Sequence, residues 1–180
     1  LLYAYNHGIF PWFEDGQPIL WWSPDPRMVL FPDKLKISKS MKQVLRNNNF
    51  QLTFNKDFKS VIENCANIDR DGQNGTWITS GIQEAYLKLH DLGDAQSIEV
   101  WQDEELVGGL YGIYLHEKHV FCGESMFAKV SNASKYAFIK MVEKLRASGV
   151  KLIDCQVYTS HLESLGAEEI SREEFLKFLK

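Results

Sequence analysis

A carboxylate and an amide lie two positions apart in the run Ile-Asp-Cys-Gln at 153–156. Side chains two apart on a strand project from one face, so Asp154 and Gln156 would lie side by side while their neighbours face the core. An acid beside an amide suits proton transfer and the orientation of an amine. The alternative is a polar strand face whose side chains hydrogen-bond to each other.

A second carboxylate, Glu124, lies within the largely apolar run Phe-Cys-Gly-Glu-Ser-Met-Phe at 121–127. A carboxylate in such a setting either faces water or is held for a cationic group. Three glycines, Gly108, Gly109 and Gly112, interrupt the strand-like run before it. Glycine inside a strand is typical of a bulge, or of close approach by a ligand or a packed helix. These two runs therefore predict either a ligand site or a tightly packed part of a sheet.

The charge distribution allows a local contact with phosphate. The net charge is −4, which argues against a protein that coats nucleic acid. Residues 34–56 nevertheless hold basic side chains and no acidic one: Lys34, Lys36, Lys39, Lys42, Arg46 and Lys56. Such a patch can meet phosphate while the whole molecule stays acidic, or it is a solvated face.

Several classes of protein are disfavoured by missing motifs. The three cysteines are widely spaced, which argues against a disulfide framework or a zinc site and fits a reducing cytosol. The sequence has no HExxH, GxSxG or P-loop motif. Its apolar runs are shorter than a membrane span, and we expect no secretory signal at its N-terminus.

Hydrophobic periodicity predicts the elements that position these residues. All five prolines lie in the first 32 residues, so we expect irregular chain there. The later pattern predicts, in order, a helix capped by Ser38, a strand at 50–54, a helix at 57–65, a loop at 67–75, a helix from Thr79 or Ser80 to His90, strands at 97–101, 105–115 and 119–127, a helix at 132–148, a strand at 151–158, a helix at 160–165, a last strand and a terminal helix. Short links between the three central strands predict an antiparallel meander, and the strand after the long helix predicts a mixed sheet.

Nine runs, in one order along nearly the whole chain, closely resemble the family of leucyl/phenylalanyl-tRNA–protein transferases. They are AYNHGIFPWF at 4–13, WWSPDPR at 21–27, TWIT at 76–79, SIEVW at 97–101, LVGGLYG at 106–112, FCGESMF at 121–127, NASK at 132–135, IDCQ at 153–156 and SLGA at 164–167. The resemblance implies an α+β fold. A small N-terminal domain, placed at 1–70, would precede a GNAT-like (acetyltransferase-superfamily-like) catalytic domain at 71–180, with a mixed β-sheet flanked by helices.

The resemblance also implies an activity. The enzyme would move Leu, Phe or Met from aminoacyl-tRNA to the α-amine of proteins with N-terminal Arg or Lys, and so mark them for N-degron (N-end rule) proteolysis. An aminoacyl ester is already activated, so the reaction needs no cofactor and no metal. We expect a cytoplasmic monomer.

By resemblance, Asp154 and Gln156 correspond to the proposed catalytic pair. Trp12 and Trp77 correspond to contacts with the 3′ adenosine of the tRNA, although core packing is the alternative for both. The apolar pocket for the aminoacyl side chain corresponds to seven positions: Leu110, Gly123, Glu124, Met126, Met141, Leu145 and Ile153.

In this family context the basic run would hold phosphates of the tRNA acceptor stem, through Lys39, Lys42 and Arg46. We also expect that Glu124 or Asp154 helps to recognise the basic acceptor residue. Members of the family normally extend beyond both ends of this chain, so further tRNA contacts are expected outside it.

Two other functions remain as alternatives from the residues. An acyl-CoA-dependent GNAT acetyltransferase would need a glycine-rich turn before the long helix, where this chain has AKVSNASK at 128–135. A non-catalytic RNA-binding module would use the basic helix and the tryptophans, but it would transfer no acyl group.

Overall fold

The structure, a computed structural model, describes residues 1–14, 16–47, 49–68 and 76–180. The α-helices in these ranges are α1 (Leu2–Tyr5), α2 (Lys39–Asn47), α3 (Phe58–Asn67), α4 (Ser80–Asp91), α5 (Ala133–Ala147), α6 (Ser160–Ser164) and α7 (Arg172–Lys177). Short 3-10 helices lie at Pro32–Lys34 and His116–Lys118. The strands are β1 (Phe10–Pro11), β2 (Trp21–Trp22), β3 (Arg27–Leu30), β4 (Gln51–Phe54), β5 (Ala95–Gln102), β6 (Glu105–Leu115), β7 (Val120–Ala128), β8 (Leu152–Gln156) and β9 (Glu168–Ile170).

Seven of these strands form one sheet in the order β4-β5-β6-β7-β8-β3-β9, while β1 and β2 pair separately. Strands β7 and β8 run parallel, and the other neighbouring strands of the sheet run antiparallel. Helix α5 connects β7 to β8 and makes the crossover that parallel neighbours need. The predicted α+β class, the meander and the mixed sheet are confirmed.

The first 32 residues are less irregular than we expected. Strand β3 lies between β8 and β9 in the sheet, and all its residues are buried. The prediction of irregular chain is therefore wrong for Arg27–Leu30. A short strand buried on both faces shows no alternation of apolar and polar residues, and this one follows directly after Pro26.

Side-chain caps begin the helices where the sequence predicts them. The Thr79 side chain accepts a hydrogen bond from the Ile82 backbone N–H at the start of α4. The Ser38 hydroxyl accepts one from the Met41 N–H at the start of α2. These bonds satisfy backbone donors that have no partner inside the helix.

Helices cover both faces of the sheet. Helices α3 and α4 pack on one face with Tyr111 and Cys122, while α2 and α5 pack on the other with Leu110 and Phe121. Close packing explains the glycines of β6: a Cβ at Gly108 would lie 2.6 Å from the Cβ of Ala133. Of the alternatives predicted for these glycines, close approach of a packed helix is confirmed at Gly108, where the helix is α5.

The predicted domain boundary at 70/71 and most of the predicted loop at 67–75 lie outside the described residues. Strands β3 and β4, from the first 70 residues, pair with β8 and β5 from the rest of the chain. No helix in the described part of the chain is both long and apolar enough to cross a membrane.

Candidate active site

The site lies where two parallel strands separate. Pairing of β7 with β8 ends at Cys122 and Asp154. Beyond this pair a cavity of about 400 Å³ opens between the sheet, α5 and the segment that contains α6. Glu124 and Gln156, each two residues past the last pair, face each other across the gap, and the Gln156 Nε2 donates to the Glu124 Oε1 at 3.0 Å.

The cavity lining contains every residue that the resemblance assigned to the aminoacyl pocket: Leu110, Gly123, Glu124, Met126, Met141, Leu145 and Ile153. Sequence reasoning missed Phe138 and Val142, which line the same cavity. Residues 138, 141, 142 and 145 recur at i, i+3, i+4 and i+7 along α5, so its helical periodicity was the signal that could have found them.

Both predicted tryptophans lie at the cavity. Trp12 follows β1 and is 41% exposed, and its backbone carbonyl accepts a hydrogen bond from the Trp22 indole N–H at 2.7 Å. The two rings are 5.9 Å apart, so the β1–β2 hairpin presents a fixed aromatic surface beside the opening. Trp77 is partly buried.

Two buried tyrosines hold the Glu124 carboxylate. The Tyr86 hydroxyl donates to the Glu124 Oε2 at 2.7 Å, and the Tyr5 and Tyr86 hydroxyls are 2.5 Å apart. Burial raises the pKa of Glu124 from 4.5 to about 7, although the tyrosine hydrogen bonds favour the ionised form. The carboxyl group therefore titrates near neutral pH at the polar end of the cavity.

Asp154 lies differently from the prediction. It is fully buried and is absent from the cavity lining, which instead includes Ile153, Cys155 and Gln156. The expectation that Ile153 and Cys155 face the core is confirmed, since both pack in the cluster formed with α5. The expectation that Asp154 and Gln156 lie side by side on a polar strand face is wrong, because only Gln156 reaches the cavity. Alternation ends at Gln156, the last residue of β8, because its φ is 66°.

Arg27 is the partner that sequence reasoning missed. Its Nε and Nη2 donate to the two Asp154 oxygens at 2.8 and 2.7 Å, and its Nη1 donates to the Gly8 carbonyl at 3.2 Å. The guanidinium also lies over the rings of Phe10 and Phe175, at 4.8 and 4.6 Å. Although burial opposes its charge, Asp154 holds the pKa of Arg27 above its ordinary value. Nothing in the local sequence distinguishes this arginine from a surface one.

The basic residues lie apart from the cavity. Lys39, Lys42 and Arg46 are exposed on α2, and none of them lines the cavity. Their i, i+3 and i+7 spacing puts them on one face of the helix, opposite the buried Met41.

The arrangement can bind an apolar side chain beside an amide and a titratable carboxyl. Comparison with known proteins identifies the family. The model of the leucyl/phenylalanyl-tRNA protein transferases matches residues 29–180, and the model of their N-terminal domain matches residues 1–25.

A leucyl/phenylalanyl-tRNA–protein transferase from Christiangramia forsetii is 68% identical over 179 residues, which are 99% of this chain and 84% of the relative. A functionally unknown conserved protein from Staphylococcus epidermidis resembles the fold with a TM-score of 0.51 at 10% identity, over 81% of this chain and 57% of that one. A GCN5-related N-acetyltransferase from Kribbella flavida matches with a TM-score of 0.44 at 11% identity, over 95% and 60% of the two chains. The chain belongs to the leucyl/phenylalanyl-tRNA–protein transferases, the aminoacyltransferases that move an amino acid from its tRNA to the N-terminus of a protein.

Proposed function

We propose that this aminoacyltransferase takes Leu, Phe or Met from tRNA and adds it to proteins that begin with Arg or Lys, which marks them for N-degron proteolysis. We further propose that it acts as a monomer in the cytoplasm. The observation that carries the proposal is the cavity itself, because its largely apolar lining includes the hydrogen-bonded pair Glu124 and Gln156.

The apolar wall suits unbranched or γ-branched side chains. Met126 and Met141 contribute flexible thioethers, which adapt to leucyl, phenylalanyl and methionyl groups. Rejection of valyl and isoleucyl groups would come from crowding at a branched β-carbon. A difference of one methylene is worth only about 1–3 kcal/mol, so this selectivity is modest.

The polar end suits the reacting amine. The amine nitrogen attacks the ester carbonyl carbon, the bond from that carbon to the ribose oxygen breaks, and the amine proton passes to that oxygen. Gln156 is the amide that would touch the amine, and Asp154, which is buried, would act through Gln156 rather than on the substrate. Holding the amine against the ester lowers the barrier by removing orientational freedom before reaction.

Glu124 would recognise the acceptor. When ionised, it offers negative charge at the cavity to an N-terminal Arg or Lys side chain. Its raised pKa means that this attraction develops as the pH rises through about 7. Neutral N-terminal residues would gain nothing from it.

The tRNA would be bound at two separate places. Trp12 and Trp77 offer rings to the terminal adenine, and stacking on an aromatic ring is worth about 1–3 kcal/mol per base. Lys39, Lys42 and Arg46 would contact phosphates, which carry no sequence information. One enzyme would in this way accept tRNAs of different sequence and select them by the attached amino acid.

The experiment follows labelled leucine from leucyl-tRNA to two proteins that differ only in their first residue, Arg or Ala. We expect label on the Arg protein alone. Label on both proteins would overturn the acceptor rule, and label on neither would overturn the proposed reaction. Valyl-tRNA as donor is the matched control for the pocket and should give less product, in keeping with this modest selectivity.

A further inference from the structure

We propose that Arg27 is a positioning residue for aminoacyl transfer, which holds Gln156 in a strained turn through the carboxylate of Asp154. The inference rests on the proposed function only in taking Gln156 as the amide that meets the amine. Arg27 has no place in the cavity lining, and it would therefore act entirely through its neighbours.

The first step of the argument is the backbone at Gln156. Its φ is 66°, and the Val157 N–H donates to the Cys155 carbonyl at 2.8 Å. A hydrogen bond that spans three residues around a central positive φ is the pattern of the γ-turn that is rare and strained. Glutamine gains nothing from this conformation by itself, so the surrounding structure must impose it.

The second step is the carboxylate that stabilises the turn. The Gln156 backbone N–H donates to the Asp154 Oδ1 at 2.9 Å. This bond satisfies a backbone donor at the last residue of β8, and a charged acceptor makes it stronger than a neutral one would. This turn directs the Gln156 side chain to Glu124 across the gap between β7 and β8.

The third step is the orientation of that carboxylate. Arg27 binds both oxygens of Asp154 with a planar fork, which fixes the plane of the carboxylate as well as its position. The side chains of Arg27 and Asp154 are 1% and 0% exposed, so water does not compete for these bonds. The same guanidinium is itself fixed by the Gly8 carbonyl and the ring of Phe175.

This geometry argues against a direct role for Asp154 as proton acceptor. Both of its oxygens already accept from Arg27, one also accepts from Gln156, and the side chain is closed off from the cavity. Arg27 therefore fixes the Asp154 carboxylate, and this carboxylate holds the backbone of Gln156 in place.

The test is a double-mutant cycle with Arg27→Lys and Gln156→Gly, measured as the rate of leucine transfer to an Arg-initiated protein. Lysine keeps the positive charge but cannot donate to both carboxylate oxygens as the planar guanidinium does. Glycine adopts a positive φ without support from neighbouring side chains, and it lacks the side-chain amide. We expect Arg27→Lys to lower kcat on the order of 10- to 100-fold, with little change in KM for leucyl-tRNA. In the Gln156→Gly background the same change should have no further effect on kcat.

Arg172→Lys is the matched control, because Arg172 is an exposed arginine that contacts Ser23 and lies away from the cavity. It should leave kcat unchanged. Independent, multiplicative effects of Arg27→Lys and Gln156→Gly would overturn the inference, as would an effect of Arg27→Lys on KM alone. Wild-type protein that transfers no leucine would overturn the proposed function, and the inference with it.

A second measurement does not depend on activity. Hydrogen exchange of the Gln156 amide should be at least several-fold faster in Arg27→Lys than in the wild type, relative to amides of α4 in the same sample. Should Arg27→Lys fail to fold, the isosteric Asp154→Asn takes its place in both experiments with the same expectations. An unchanged exchange rate at Gln156 in a folded variant would contradict the proposal.

Discussion

At the scale of single residues, the site depends on one carboxylate that titrates near neutral pH and one that is locked in an ion pair. Glu124 is held by Tyr86 and Gln156 at the cavity, and its pKa is raised to about 7 by burial. Asp154 is fully buried against Arg27. The two acids therefore lie in different environments, one at the cavity and one in a buried ion pair.

The raised pKa predicts how stability depends on pH. A folded pKa of about 7 lies above the unfolded value, so between pH 4.5 and 7 the folded state binds more protons and loses stability as the pH rises. Glu124→Gln should remove this loss. Between pH 4.5 and pH 8, the free energy of unfolding of the wild type should fall by about 1–3 kcal/mol relative to that of the variant.

Urea unfolding at the two pH values measures this difference. Comparing the pH dependence, instead of the stabilities themselves, cancels any constant effect on the hydrogen bonds of Tyr86 and Gln156. Equal pH dependence in the two proteins would mean that Glu124 has an ordinary pKa.

At the scale of elements, α5 does two tasks. Its residues Phe138, Met141, Val142 and Leu145 line the cavity, while its first residue, Ala133, packs against Gly108 of the sheet. The helix that forms the crossover between β7 and β8 thus also forms one wall of the pocket, so pocket shape depends on how closely α5 approaches the sheet.

Met141→Ala should widen the pocket. We expect the preference for leucyl-tRNA over isoleucyl-tRNA, measured as the ratio of kcat/KM values, to fall about tenfold because crowding at the β-carbon is relieved. Stability should fall by about 2–5 kcal/mol because Met141 is 1% exposed.

Met41→Ala separates these two effects. Met41 is equally buried, at 4% exposed, but lies on α2 away from the cavity. It should lower stability without changing the preference, and a similar change in preference in both variants would refute the assignment of Met141 to the pocket.

At the scale of the whole molecule, the basic surface and the cavity lie on different elements. The net charge is −4, yet the exposed face of α2 is basic, and the aromatic hairpin and the cavity lie on other elements. An acidic protein can in this way bind tRNA locally while it repels nucleic acid elsewhere.

Reversing two charges on α2, with Lys39→Glu and Lys42→Glu together, should weaken tRNA binding. The slope of log Kd against log salt should fall in magnitude by roughly 1.5–2, because two phosphate contacts no longer release counterions. Filter binding over a range of salt concentrations gives the slope.

A control with the same change in net charge is Lys59→Glu with Lys151→Glu, at exposed positions on α3 and before β8. It should alter the slope much less. If both pairs change the slope equally, tRNA is attracted by net charge and α2 is no specific contact.

The sequence by itself determined the order of helices and strands after Ser38, the meander and the family. These follow from local signals: the period of apolar residues, the caps at Ser38 and Thr79, and runs of unusual residues such as Phe-Cys-Gly-Glu-Ser-Met-Phe. Each signal lies within one element, so one sequence is enough to read it. It also indicated the pocket residues by resemblance, and the structure brings them to one cavity.

Only the tertiary structure decided where the side chains of Asp154 and Gln156 lie. Arg27 lies 127 positions from Asp154, and no local pattern connects them. Strand alternation placed both side chains on one face, but a positive φ at Gln156 sends it across the gap to Glu124 while Asp154 stays buried. Such a turn is unfavourable in isolation and exists because distant side chains satisfy its donors, which is why the sequence alone does not reveal it.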